Sequence, residues 1–216
     1  MIYTVDKRFN TQAERTPRVL EIAEAFGLGL DGKEFVVFDN QKFEIEQGDV
    51  VYITGQSGSG KSVVLRELSK LMLVEGLKVA DIDKVEMLDK PLIDQIGKNL
   101  QDGLNYLSIA GLNDAYLFIR KPMELSDGQR YRFRLAKIIE SGAKVWVADE
   151  FLAVLDRTTA KVIAFNMQKV ARKVGATLMV ATTHHDMVKD LAPSLYINKH
   201  YREKIEIIKT PEGYKS

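Results

Sequence analysis

The chain contains no cysteine. Disulfides, thiolate zinc sites and cysteine nucleophiles are therefore excluded, and the composition fits a cytoplasmic protein. Charge of either sign is hardly in excess. Thirty-one Lys and Arg face thirty Asp and Glu, for a net charge of +1. Bulk charge thus gives no argument for nucleic acid or for an acidic substrate, although a local basic face would escape this count. No apolar run approaches the ~20 residues needed to cross a bilayer. The first ten residues lack the apolar core of a signal peptide. Internal repeats, low-complexity tracts and interdomain linkers are also missing. With 216 residues, the chain is long enough for one well-cored domain over 1–216.

What is present is concentrated at residues 55–62, which read G-Q-S-G-S-G-K-S. Gly55, Gln56, Ser57, Gly58, Ser59, Gly60, Lys61 and Ser62 fit the phosphate-loop pattern G-x-x-x-x-G-K-[ST] at every fixed position. The apolar, β-branched run 50–54 feeds the loop as a buried strand. Val64, Leu65, Leu68, Leu71 and Met72 then follow at helical spacing. Glycines let the backbone wrap around phosphate oxygens, and successive N–H groups with the helix N-terminus favour an anion. Lys61 is expected to reach the β- and γ-phosphates, and Ser62 to bind Mg²⁺. A Gly/Ser-rich turn matching by chance is the competing reading. Strand and helix on either side argue against it.

Elsewhere, strands are predicted at 1–10, 34–39, 42–46, 78–82, 144–148, 176–181, 195–198 and 204–208. Helices are predicted at 17–26, 62–75, 92–109, 112–119, from 126 through 140, 158–173 and 187–191. In the 17–26 helix, Val19, Ile22, Ala23 and Phe26 share one face. Gly97 and Gly103 weaken the 92–109 helix. Alternating strands and helices imply an α/β fold with a mainly parallel sheet covered on both faces. The strand-rich start adds an antiparallel edge. The strand V-W-V-A ends in Asp149 and Glu150, where open α/β folds bind ligands. Asp149 is the type of residue to hold Mg²⁺, and Glu150 to take a proton from an attacking water. Two solvated acids in a surface turn would be the ordinary alternative.

Leu125-Ser126-Asp127-Gly128-Gln129 is similar to the L-S-G-G-Q signature of ABC-class ATPases, and Arg130, Arg132, Ala136 and Lys137 follow as in that superfamily. Residues 149–156, D-E-F-L-A-V-L-D, resemble its acidic motif and D-loop. Ala181-Thr182-Thr183-His184 resembles its switch-histidine segment. The resemblance implies a P-loop NTPase of ABC type, with antiparallel N-terminal edge strands and a reduced helical subdomain at about 92–140. It implies ATP and Mg²⁺ as ligands, Glu150, His184 and Lys61 as catalytic residues, and Ser62 and Asp149 at the metal. It also implies a homodimer with ATP in which Ser126, Gly128, Gln129 and Asp156 of one copy meet the nucleotide of the other. The signature serine doubles as a good helix cap, with Gln129 at the third helical position. Asp127 stands where glycine is usual and adds negative charge near phosphate.

Some family features have no clear counterpart. No residue matches the Q-loop glutamine, for which Glu86, Asp89 and Gln95 all lie in the region. Phe26 is placed to stack on adenine, but a core role on its helix face is the plainer reading. The short stretch between Lys61 and Leu125 leaves no room for a full-sized docking subdomain or a coiled coil. The chain is accordingly most similar to stand-alone ABC ATPases, including those joined to an acetyltransferase domain, which residues 149–161 resemble. The expected role is ATP-driven movement of an unidentified protein partner, without membrane contact. The alternatives are a transporter's nucleotide-binding subunit, an ATP-dependent dimerisation switch, and a nucleic-acid-handling ATPase suggested only by arginines 130, 132 and 134.

Overall fold

The computed structural model describes residues 1–201 and 205–210. Its main sheet has six strands: β3 (Val50–Gly55), β4 (Val79–Asp81), β5 (Val145–Ala148), β6 (Thr177–Ala181), β7 (Leu195–Lys199) and β8 (Ile205–Lys209), in the order β4-β5-β6-β3-β7-β8. All neighbours are parallel except β7 and β8. β3, β5 and β6 are buried along their whole length. This is why they read as unbroken apolar runs rather than as alternating strands. Side chains alternate between two cores. Val50 and Tyr52 enter one, with Trp146, Leu178 and Val180. Val51 and Ile53 enter the other, with Val145, Val147 and Met179.

Helices α5 (Asp127–Ser141) and α6 (Arg157–Val174) supply the first core through Phe133, Ala136, Ala160, Ala164 and Met167. Helix α2 (Lys61–Val74) supplies the second through Val64, Leu65, Leu68 and Met72. On that side lies an antiparallel ribbon of β1 (Ile2–Thr11) and β2 (Lys33–Glu44). The expected N-terminal antiparallel strands therefore pair with each other as a separate sheet. The antiparallel edge of the main sheet is β8 instead. The two strands expected at 34–39 and 42–46 are one, with Asn40 at a positive φ of 47° in its middle. Residue 204 of the expected last strand lies outside the described residues.

Between β1 and β2 sits α1 (Pro17–Phe26), capped by Thr16. Its expected buried face is not buried. Only Ala23 is covered, while Ile22 is 55% and Phe26 76% exposed. Helical spacing marks amphipathicity, but here α1 stands at the end of the ribbon with little to pack on.

The expected 92–109 helix is split. A 3-10 turn covers Leu92–Gln95, and α3 begins only at Leu100 and runs to Ile109. Gly97 breaks it with φ at +82°, and a Cβ there would lie 2.3 Å from the Gly103 nitrogen. Helix α5 fixes the break, since Glu140 accepts the Gly97 N–H at 2.6 Å and Lys137 donates to the Gln95 carbonyl at 3.0 Å. Of the next helix only α4 (Ala115–Phe118) forms. The short α7 (Val188–Leu191) leads into β7. Replacing Gly97 by Ala combines a strained backbone with a backbone overlap, and should lower stability by about 3 kcal/mol. A urea-unfolding midpoint equal to that of the parent protein would contradict this account.

Candidate functional site

The parallel sheet gathers the C-terminal ends of β3, β4, β5 and β6 on one side, and the motif residues lie there. The chain leaves β3 at Gly55, makes a tight turn in which Ser59 donates its N–H to the Gln56 carbonyl at 3.2 Å, and enters α2. The α2 N-terminus carries no side-chain cap. Its free N–H groups leave partial positive charge at the loop.

Lys61 lies almost wholly inside this turn, only 9% exposed. Its Nζ donates to the carbonyls of Gly55 at 2.8 Å and Gln56 at 2.7 Å. Burial pushes the amine's pKa down, and the charges of Asp149 and Glu150 oppose that. Next to it, the Ser62 hydroxyl donates to Asp149 Oδ1 at 2.9 Å. Helix start and strand end thus meet as the motif spacing implies.

Asp149 Oδ1 also accepts the Glu150 N–H at 3.1 Å. Glu150 itself is exposed, with φ at +52°, and Leu152 has φ at +55°. Two non-glycine residues in the left-handed region are uncommon, and they fold the segment after β5 back on itself. The Phe151 N–H to the Ala181 carbonyl, 2.8 Å, ties that segment to β6.

Among the described residues no group of three or more His, Asp or Glu side chains is arranged to hold a metal ion. A hydroxyl beside one carboxylate nevertheless suits Mg²⁺, which keeps several waters and takes much of its shell from phosphate oxygens. Ser62 and Asp149 are the residues that would hold it.

His184 follows β6. Its carbonyl accepts a 2.5 Å hydrogen bond from the Tyr52 hydroxyl of β3, and its N–H donates to Thr182 Oγ1 at 3.3 Å. His184 is half-buried and His185 exposed. Burial, reinforced by Arg157 and His185, holds the His184 pKa below the ordinary histidine value. Tyr52 was hidden in the sequence, where it reads as one more apolar residue of a buried strand.

The signature residues are placed apart. Ser126 caps α5, accepting the Gln129 N–H at 3.3 Å, and Gln129 Oε1 accepts the Ser126 N–H at 3.0 Å. The charge of Asp127 is paired with Arg130. A Cβ on Gly128 would lie 3.1 Å from Thr159 of α6, so the starts of the two helices are packed together. Asp156 caps α6 through the Thr159 N–H at 3.0 Å, and hydrogen bonds from the Thr159 hydroxyl and then its N–H lower the carboxyl pKa. The cap reading of Ser126 and Gln129 is thus present in the structure. Ser126 and Asp156 are exposed, and Gly128 and Gln129 partly so.

A cleft of about 980 Å³ opens beside the motif residues, lined by Ser62, Asp83, Tyr131, Arg134, Asp149 and Glu150 among others. It approaches from the β4 side; residues 55–61 and the signature residues 126, 128 and 129 do not line it. Of the three Q-loop candidates, Gln95 spends its side chain on the backbone of Leu88 and Lys90, and Asp89 pairs with Lys121. Neither lines the cleft, nor does Glu86. Asp83, which the sequence did not single out, does. Phe26 is neither core nor in this cleft.

Comparison with known proteins gives a consistent picture. The family described as ABC transporter matches residues 38–108. The methionine import ATP-binding protein MetN of Clostridium tetani is 27% identical over 82% of this chain and 68% of its own length. MetN 1 of Oenococcus oeni is 24% identical over 76% of this chain. The chain spans little more than half the length of that relative (57%) and of MetN of Helicobacter hepaticus (56%). Among solved structures, the dimeric MJ0796, a bacterial ABC transporter cassette, aligns over 97% of this chain and all of that one, with a TM-score of 0.64 and 18% identity. The same cassette bound to ADP and Pi aligns with a TM-score of 0.63 at 17% identity. At such identities the likeness speaks for the fold. With the segment around the phosphate loop matched by family and nearly the whole chain matched by fold, the chain has the P-loop fold of an ABC-type ATPase.

Proposed function

We propose that the chain, as one domain over 1–216 with a helical subdomain at about 92–140, is the ATP-hydrolysing subunit of a membrane transporter. The observation that carries the nucleotide part is the pairing of Ser62 with Asp149 beside a phosphate loop whose lysine is already drawn inward. The transporter part rests on the relatives, which are import ATP-binding proteins. It also fits an exposed apolar surface on the helical segment, where Leu100, Tyr116, Ile119 and Met123 are each at least 65% exposed. This replaces the expectation that membrane contact is absent. No helix among the described residues is long and apolar enough to cross a membrane, so contact would run through a partner. The likeness of residues 149–161 to ATPases joined to an acetyltransferase domain adds nothing to this reading. A stand-alone ATPase moving a soluble partner is the second reading, favoured by the four-residue α4 and the split helix before it.

In the proposed mechanism, Lys61 exchanges the Gly55 and Gln56 carbonyls for the β- and γ-phosphates of ATP. Backbone N–H groups of residues 55–62 hold the remaining oxygens. Bound Mg²⁺ would neutralise phosphate charge. Ser62 and Asp149 hold their oxygens toward that position. Glu150 accepts a proton from the attacking water. His184 donates toward the γ-phosphate, its backbone held by the Tyr52 hydroxyl. Ser126, Gly128 and Gln129 of a second copy close the site, using a hydroxyl and a helix N-terminus. Asp156 sits at the boundary between copies. A two-fold pairing closes two such sites at once.

Lys61→Ala should abolish measurable Mg·ATP binding in isothermal titration; unchanged affinity would remove the phosphate-loop assignment. His184→Ala should cut turnover by about a hundredfold with little loss of binding, and Tyr52→Phe by about tenfold. His185→Ala should be near normal, and a crippled His185 variant with a normal His184 variant would reverse the assignment. Lys61→Ala and Ser126→Arg subunits, each inactive alone, should regain part of the activity on mixing, because one composite site is then free of both changes. No recovery on mixing, together with a monomer in light scattering of Glu150→Gln with Mg·ATP, would contradict the shared site.

A further inference from the structure

Tyr131 is a buried residue of α5, 6% exposed, and its hydroxyl has no hydrogen-bond partner. One turn further on, Arg134 Nε is likewise buried and unpartnered. Both side chains line the cleft that holds Ser62 and Asp149. Leaving a buried donor unmade is unfavourable, so two of them on one helix face point to groups that arrive when the cleft is occupied.

The group that stands opposite them is Asp83, in the 3-10 turn Ile82–Lys84 directly after β4. Arg134 Nη1 lies 3.8 Å from Asp83 Oδ1. Asp83 and Asp149 follow the ends of two paired strands and line the same cleft. β4 and β5 are parallel with Asp81 opposite Val147, and each aspartate is two residues further along its chain. Burial and the charge of Asp81 raise the Asp83 carboxyl pKa, while Arg134 and the nearby backbone N–H of Asp149 act the other way. Asp149 in turn accepts the Ser62 hydroxyl. A line of polar groups therefore runs from Arg134 through Asp83 and Asp149 to Ser62, all within one subunit. Asp81 is the other carboxylate in this part of the cleft, and Lys84 pairs with it at 2.8 Å, which leaves Asp83 to Arg134.

We propose that Asp83 is a positioning residue for Asp149, paired from α5 by Arg134 with the Tyr131 hydroxyl held in reserve beside it, so that this helix is tied to the metal-binding side of its own subunit's nucleotide site. The proposal rests on the reading of Ser62 and Asp149 as the magnesium side. Helix α5 then serves two sites. Its first turn is offered to a second copy, and its second turn reaches the carboxylate at home. Acceptor oxygens arriving with Mg·ATP would give the Tyr131 hydroxyl and the Arg134 Nε the partners they lack.

The test is the thermal stabilisation of purified protein by ATP, titrated with Mg²⁺ and repeated in excess chelator. In Asp83→Asn the Mg²⁺ concentration giving half of the ATP-induced shift should rise about tenfold, as for other residues that orient a metal ligand. The shift by metal-free ATP should stay as in the parent. Tyr131→Phe should raise the melting temperature without nucleotide, because an unpartnered hydroxyl is removed, yet shrink the Mg·ATP-induced shift. Arg134→Lys should retain more Mg²⁺ response than Arg134→Met. The proposal is overturned if Asp83→Asn leaves the Mg²⁺ dependence unchanged, or if metal-free and Mg²⁺-dependent shifts fall together. Asp149→Asn separates the two levels. A normal Mg²⁺ response there would end the reading of the metal side, whereas an altered response there with a normal one in Asp83→Asn would end only the present inference.

Discussion

The end of β3 runs so close to β7 that residue 55 has no room for a Cβ. Such an atom would lie 2.0 Å from the Lys199 carbonyl oxygen, and the backbone there has φ at +142°. That approach is what the site depends on. It lets the chain turn out of the sheet at its last hydrogen-bonded pair, Gly55 with Lys199. The turn aims the Gly55 and Gln56 carbonyls inward, where they take the Lys61 amine. The same turn starts α2 with uncapped N–H groups and delivers Ser62 to Asp149. Any side chain at 55 would push apart the strand pair from which all of this hangs.

Charge in the site is held in short, paired steps. Lys61 rests on carbonyls, Asp149 on a hydroxyl and a backbone N–H, Asp127 on Arg130, and Arg157 with Lys161 on Asp186. Phosphate oxygens in place of the two carbonyls would keep Lys61 paired throughout, which limits the desolvation cost of an already buried lysine. The positive φ values at Glu150 and Leu152 fold this segment back with the Glu150 side chain exposed.

Much of this was legible in the sequence because it is written in backbone chemistry. The phosphate loop, the strand ending in Asp149 and the Ser126–Gln129 cap each follow from local rules, and each appears where those rules put it. The helix at 92–109 was overstated because two glycines weigh little in a periodicity count, whereas a positive φ at Gly97 ends a helix outright. The buried face of α1 was misread for the opposite reason, since a correct period says nothing about whether anything lies opposite. Asp83, Tyr131 and Tyr52 were invisible because their meaning comes from parallel register and from packing across the sheet. An aspartate in a polar loop and a tyrosine in an apolar strand look ordinary until β4 is laid beside β5 and β3 beside the residues after β6.

The placement of α1 has a practical side. Residues 12–16, which join β1 to it, are all exposed, and the helix covers only Ala23. Exposed connections that carry no core are where chains accept inserted sequence and where proteases cut first. An epitope or a small fluorescent module spliced into residues 12–16 would displace no buried side chain. The hairpin that frames the N-terminal half could thus be made to report on the assembly without touching the chemistry.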